Sequence, residues 1–147
     1  MGKDRDELRN LAYGVFRLVQ EFKLAQEQRK DLDRVTFEIL MLIKSREQIR
    51  PSDIAHALDL NPSSITRRIP SLQQAGYISV VTDSSDLRSS LIRLTETGEE
   101  VLARFLERSV DGLDMILQDW SAEEARELSI LLPRLADTLH TWRLKDS

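Results

Sequence analysis

Apolar residues recur at two different periods along this chain of 147 residues, and the switch between them marks how it is organised. From Asp4 to about Gln28, Leu8, Leu11, Ala12, Val15, Phe16, Leu18, Val19 and Phe22 stand three and four apart, which predicts an amphipathic helix. Its stripe is wide enough to need a partner, either the core of the fold or a second subunit. Asp31 or Asp33 can cap a second helix, in which Leu32, Val35, Phe37, Ile39, Leu40, Leu42 and Ile43 run almost all the way round, so this helix belongs in the middle. It ends in the polar segment SREQIR, and Pro51 opens a short third helix to about Leu58.

Asn61-Pro62 is a strong helix start, with Asn as cap and Pro in the first turn. On a 100° wheel Ile65, Ile69 and Leu72 share one face of this fourth helix. Ser63, Arg67, Pro70 and Gln74 lie opposite, with Thr66 and Arg68 on the flanks. Small hydroxyl residues followed by arginine suit a helix end that approaches phosphates and base edges. Pro70 removes an N–H donor and crowds the carbonyl of Thr66, which predicts a bend.

Past Gly76 the period changes to that of strands: Tyr77 to Val81, a loop TDSSDLRSS, and Leu91 to Leu94. Thr95 can cap a long fifth helix with a seam from Val101 to Trp120, and Ser121-Ala-Glu-Glu has the capping-box pattern for a last helix carrying Leu128, Leu131, Leu132, Leu135 and Leu139. Helix, turn, helix and hairpin in this order predict a mainly α fold with a small two-stranded antiparallel wing, a winged helix-turn-helix flanked by N- and C-terminal helices. The flanking helices carry more apolar surface than a monomer of this size needs, which points to a homodimer.

Composition narrows the chemistry. The length fits one domain, 1–147, and few glycines and prolines leave no room for linkers. Without cysteine there are no disulfides, thiolate metal sites, Cys nucleophiles or thiol redox sensing. Neither a secretory signal nor an apolar run of about 18 residues is evident, so a cytoplasmic location and no membrane association are expected. His56 and His140 stand apart from other ligand-type residues, and no Gly-rich phosphate loop or activated nucleophile is evident; no metal, cofactor or enzymatic activity is expected. Tyr13, Phe16 and Arg17 on the first helix are candidates to line a regulatory cleft.

The net charge of −4 is unevenly spread. Residues 61–95 hold Arg67, Arg68, Arg88 and Arg93 against Asp83 and Asp86, whereas 96–147 hold 6 basic and 12 acidic residues. Screening over about 8 to 10 Å lets the local positive charge act at contact, so phosphate binding is compatible with an acidic whole.

The run Asp86-Leu87-Arg88-Ser89-Ser90 followed by Leu91-Ile92-Arg93-Leu94-Thr95-Glu96-Thr97-Gly98, with Leu72-Gln-Gln-Ala-Gly76 before it, resembles the multiple-antibiotic-resistance regulator (MarR) family. Its wing pattern is Asp-x-Arg with a Leu-Thr-x-x-Gly exit. The resemblance extends from about Glu7 to Leu139 and implies a homodimeric transcription regulator, a repressor on a pseudo-palindromic operator in double-stranded DNA. The winged part would span 31–96 and the dimerisation helices 1–30 and 97–147.

By the same resemblance Arg88, with Ser89 beside it, enters the minor groove. Asp86 orients the wing, with Arg68 as the candidate partner. Arg67 reads or braces in the major groove, while Ser63, Ser64 and Thr66 touch bases or phosphates. Many members release DNA when a small aromatic or phenolic ligand fills a cleft between the dimer helices and the winged part. Pro70 departs from the family pattern and bears on Gln73 and Gln74. The rival reading is a winged helix used only for protein contacts.

Overall fold

The structure, a computed structural model, describes residues 2–86 and 89–147. The order of elements is α1 (Arg5–Glu27), α2 (Arg34–Arg46), α3 (Pro51–Ala57), α4 (Pro62–Gln74), β1 (Ile78–Thr82), β2 (Ser90–Leu94), α5 (Glu96–Ile116) and α6 (Ala122–Lys145). This is the mainly helical fold with a two-stranded wing that the periods predicted. The chain divides into two compact units, one ending at Phe105 and the other Leu106–Ser147, so α5 contributes to both.

The helix starts follow from local chemistry. Of the two aspartates that could cap α2, Asp33 does so, accepting from the Thr36 backbone N–H at 3.3 Å. Asp31 pairs instead with Arg29 at 2.7 Å. Asn61 accepts from the Ser63 N–H at 3.0 Å, with Pro62 as the first helical residue of α4. The Thr95 hydroxyl accepts from the Gly98 N–H at 3.0 Å, and Ser121 and Glu124 close a reciprocal capping box. Each such cap stabilises its helix by about 1 kcal/mol.

In the first unit the core draws residues from α2, α3, α4, both strands and the start of α5. Leu40 and Ile43 of α2, Ile54 of α3, Ile65 of α4, Ile92 of β2 and Leu102 of α5 are its largest fully buried side chains. Burying one such side chain contributes about 1.5 to 3 kcal/mol. On α4, Ile65 and Leu72 are buried and Ile69 is half-buried, as the wheel required. The helix continues through Pro70 to Gln74. Pro70 lies on the exposed face and offers no N–H to the Thr66 carbonyl.

The wing pairs Ile78 with Leu94 and Thr82 with Ser90, antiparallel throughout. Ile49 adds to its edge. Its N–H donates to the Ile92 carbonyl at 3.1 Å, and the Ile92 N–H donates back at 2.8 Å. The segment SREQIR is therefore more than a polar turn, because Ile49 within it is buried and continues the sheet. Arg93 grips the same segment, donating from Nε and Nη2 to Gln48 Oε1 at 3.0 and 2.6 Å.

The remaining helices differ from this core. Neither α1 nor α6 contains a buried residue. Among the described residues no helix is long and apolar enough to cross a membrane.

Candidate nucleic-acid interface

The core fixes which face of α4 meets solvent. With Ile65 and Leu72 turned inward, Ser63, Thr66, Arg67, Pro70 and Gln74 are exposed and Ser64 is half-buried. Ser63 is engaged by its own cap, since its hydroxyl donates to Asn61 Oδ1 at 2.8 Å. The Thr66 hydroxyl donates back to the Pro62 carbonyl at 3.0 Å, a local bond of the kind helical threonines form.

The arginines of the winged stretch separate by their partners. Arg68 donates to Asp33 at 3.2 Å, and Arg93 is held by Gln48. Arg67 is exposed and makes no hydrogen bond or ion pair with the described residues. Arg88, the expected minor-groove residue, lies outside the described residues.

The expected pairing of Asp86 with Arg68 is replaced by the pairing of Arg68 with Asp33. Asp33 stands at the start of α2, where it also receives the Thr36 hydroxyl and backbone N–H. Burial pushes its carboxyl up, but the bonds from Thr36 and the Arg68 charge outweigh this and hold it below the usual carboxylate range. It therefore stays charged and keeps Arg68 on the flank of α4. Arg67, Arg68, Ser64 and Ser71 line a cleft of about 500 Å³ with Asp33, Thr36 and Leu72.

Asp86 is exposed and turns toward its own loop. Its Oδ2 accepts from the Ser89 hydroxyl at 3.2 Å and its carbonyl accepts from the Ser89 N–H at 3.0 Å. A different aspartate ties the wing to the body. Asp83, with only 8% of its side chain exposed, accepts from Arg50 Nη2 at 2.7 Å. The Ser85 hydroxyl and N–H, together with Arg50, pull the Asp83 carboxyl down to about 2. Neither Asp83 nor Arg50 stood out in the sequence, where Asp83 belongs to a polar loop and Arg50 to a polar turn.

Tyr13 and Phe16, expected near a regulatory cleft, are 63% and 71% exposed on α1, and Arg17 is exposed beside them. Among the described residues no group of three or more His, Cys, Asp or Glu is arranged to hold a metal ion.

The MarR family model matches residues 32–90, from the α2 cap through the wing. The HTH-type transcriptional regulator PecS of Dickeya dadantii (strain 3937) is 36% identical over 102 residues, 67% of this chain and 61% of PecS. The chain thus spans less than two thirds of the length of the first curated relatives it matches. A MarR family protein from Bacillus stearothermophilus has a similar fold, with a TM-score of 0.80 at 17% identity over 95% of this chain and 99% of that one. So does a mutant MarR from E. coli solved in complex with operator DNA, with a TM-score of 0.61 at 21% identity over 90% and 99% of the two chains.

Proposed function

We propose that the chain, which the MarR family model matches over residues 32–90, is a sequence-specific DNA-binding transcription regulator of that kind, a repressor acting as a homodimer on a pseudo-palindromic operator. The observation that carries this reading is Arg67, a guanidinium with no partner among the described residues, on the exposed face of a helix whose opposite face is locked in the core. Such a group has its full set of donors available for guanine O6 and N7 or for phosphate. Ser63, Ser64 and Thr66 give the helix end the small side chains that close approach requires. Arg68, tied to Asp33, serves as a backbone contact at the groove's edge. Arg88 and Ser89 provide the wing contact, with Asp86 ordering the loop through Ser89. The bare apolar faces of α1 and α6 supply the dimer contact. A small aromatic or phenolic ligand beside Tyr13, Phe16 and Arg17 would release the DNA.

Selection of bound sequences from random duplex DNA, followed by salt titration of the best site, tests this. The expected result is an inverted repeat with half-sites about 10 bp apart. Arg67→Ala relaxes preference at one base position by about 1 to 3 kcal/mol, whereas Arg88→Ala weakens all sequences and lowers the salt slope by about one. Failure to enrich any sequence would favour a protein-contact module. An unchanged base preference in Arg67→Ala would reduce Arg67 to a phosphate clamp.

A further inference from the structure

We infer that the ion pair between Arg50 and Asp83 is a strap that sets the wing's attitude to the body, making both side chains positioning residues for the wing's contact with DNA; the inference rests on the DNA-binding reading above. The two oxygens of Asp83 face different ways. Oδ1 accepts from the Ser85 N–H at 2.9 Å and hydroxyl at 2.7 Å, ordering the wing loop from within. Oδ2 accepts from Arg50 and ties that loop outward. The Asp83 N–H donates to the Ser89 carbonyl at 2.9 Å, so the same residue also closes the loop across the hairpin.

The other end of the strap is firmly seated. The Arg50 carbonyl accepts from the Asp53 and Ile54 N–H groups at 3.0 and 3.2 Å, making Arg50 the cap residue of α3. Ile54 is fully buried, and Ile49, one residue earlier, is bonded to Ile92 of β2. Val81 and Thr82 at the end of β1 are exposed, and a two-stranded ribbon without a packed face is marginal in water. An arginine whose backbone caps α3 and a buried carboxylate in the loop remove that freedom. The Asp83 carboxylate is buried while the Arg50 guanidinium stays partly open to solvent, so the pair is screened less than one on an open surface.

Two measurements test the strap. In the DNA-free protein, Asp83→Ala is expected to speed amide hydrogen exchange at Thr82 to Asp86 and at Ser89 and Ser90, while α2 and α4 amides keep their protection. No acceleration in the wing, or an equal acceleration in α2 and α4, would overturn it. On the selected operator, Asp83→Ala is expected to weaken binding about tenfold. Combined with Arg88→Ala it should add nothing beyond Arg88→Ala alone, because both remove the same wing contact. Arg50→Lys should retain most of the affinity that Arg50→Met loses.

Additive losses in the double variant would make the pair a general support and overturn its positioning role. If the wild-type chain selects no operator, the DNA-binding reading falls while the exchange result still decides the strap. If it binds an operator that Asp83→Ala binds equally well, the strap's role falls and the reading stands.

Discussion

The winged part and the two long helices α1 and α6 are built from the same residue types at the same helical spacing, yet their apolar side chains meet opposite fates. Ile39, Leu40 and Ile43 of α2, Ile54 of α3 and Ile65 of α4 are almost wholly buried. Leu11, Phe16 and Phe22 of α1 and Leu131, Leu139 and Trp142 of α6 each keep half or more of their surface exposed. Period states that a face is apolar; it does not state what covers it. The winged part finds its cover within the chain. Those apolar side chains of α1 and of α6 stay exposed among the described residues, which is what the proposed dimer contact requires.

That contrast is most sharply broken at α6. Leu131 and Leu135 are 55% and 40% exposed, so charge at these positions costs the isolated chain little. In the proposed dimer the same change places carboxylates in an apolar contact. Leu131→Glu with Leu135→Glu is expected to halve the mass seen by light scattering at micromolar concentration. Operator affinity should fall about a hundredfold or more, as two linked half-site contacts become independent. A variant that stays dimeric would move the interface away from this face of α6.

In the winged part the expectation reverses: truncation, and not charge on a bare face, is what costs stability. Leu40 is 0% exposed at the centre of the core. Leu40→Ala removes its burial and leaves a void, for an expected loss of about 2 to 5 kcal/mol in urea unfolding. A loss below about 1 kcal/mol would mean that α2 is less central than its burial indicates.

What was legible in the sequence divides by the range of the interaction. Asn61 with Ser63, Thr95 with Gly98 and Ser121 with Glu124 are bonds within three residues, and all three caps stand where residue type and spacing placed them. The burial of Ile65 and Leu72 followed from the wheel for the same reason.

The contacts that organise the candidate site are of another kind. Arg50 meets Asp83 across 33 positions and Arg68 meets Asp33 across 35. No local rule selects one aspartate among several for such a pairing. The family resemblance suggested Asp86 for Arg68. Once α2 and α4 pack, however, Asp33 at the start of α2 is the carboxylate within reach. Ile49 was hidden differently, as one apolar residue in a polar run whose pairing with Ile92 exists only after the hairpin forms.

Gly98 carries the same contrast into α5, where two glycines of one helix fall in different units. A Cβ on Gly98 would stand 2.1 Å from the Tyr77 carbonyl oxygen and 2.9 Å from its carbon, both backbone atoms that cannot turn aside. The neighbouring Thr95 holds that approach closed. Its N–H donates to the Tyr77 carbonyl at 3.0 Å, and its hydroxyl donates to the Gly76 carbonyl. The Thr-x-x-Gly exit from the wing is thus a close crossing of two backbones, for which only glycine leaves room. Gly112, in the second unit, has none of the described atoms beyond its own stretch of helix within 4 Å of its would-be Cβ. Gly98→Ala is therefore expected to lose about 1 to 3 kcal/mol through overpacking. Gly112→Ala should gain up to about 1 kcal/mol from helix propensity. Denaturant unfolding of the two variants side by side checks both signs. If Gly98→Ala matched or exceeded the wild type, the crossing at Tyr77 would have to be looser than it stands; if Gly112→Ala lost stability, a neighbour must cover that part of α5, as a second copy of the chain would.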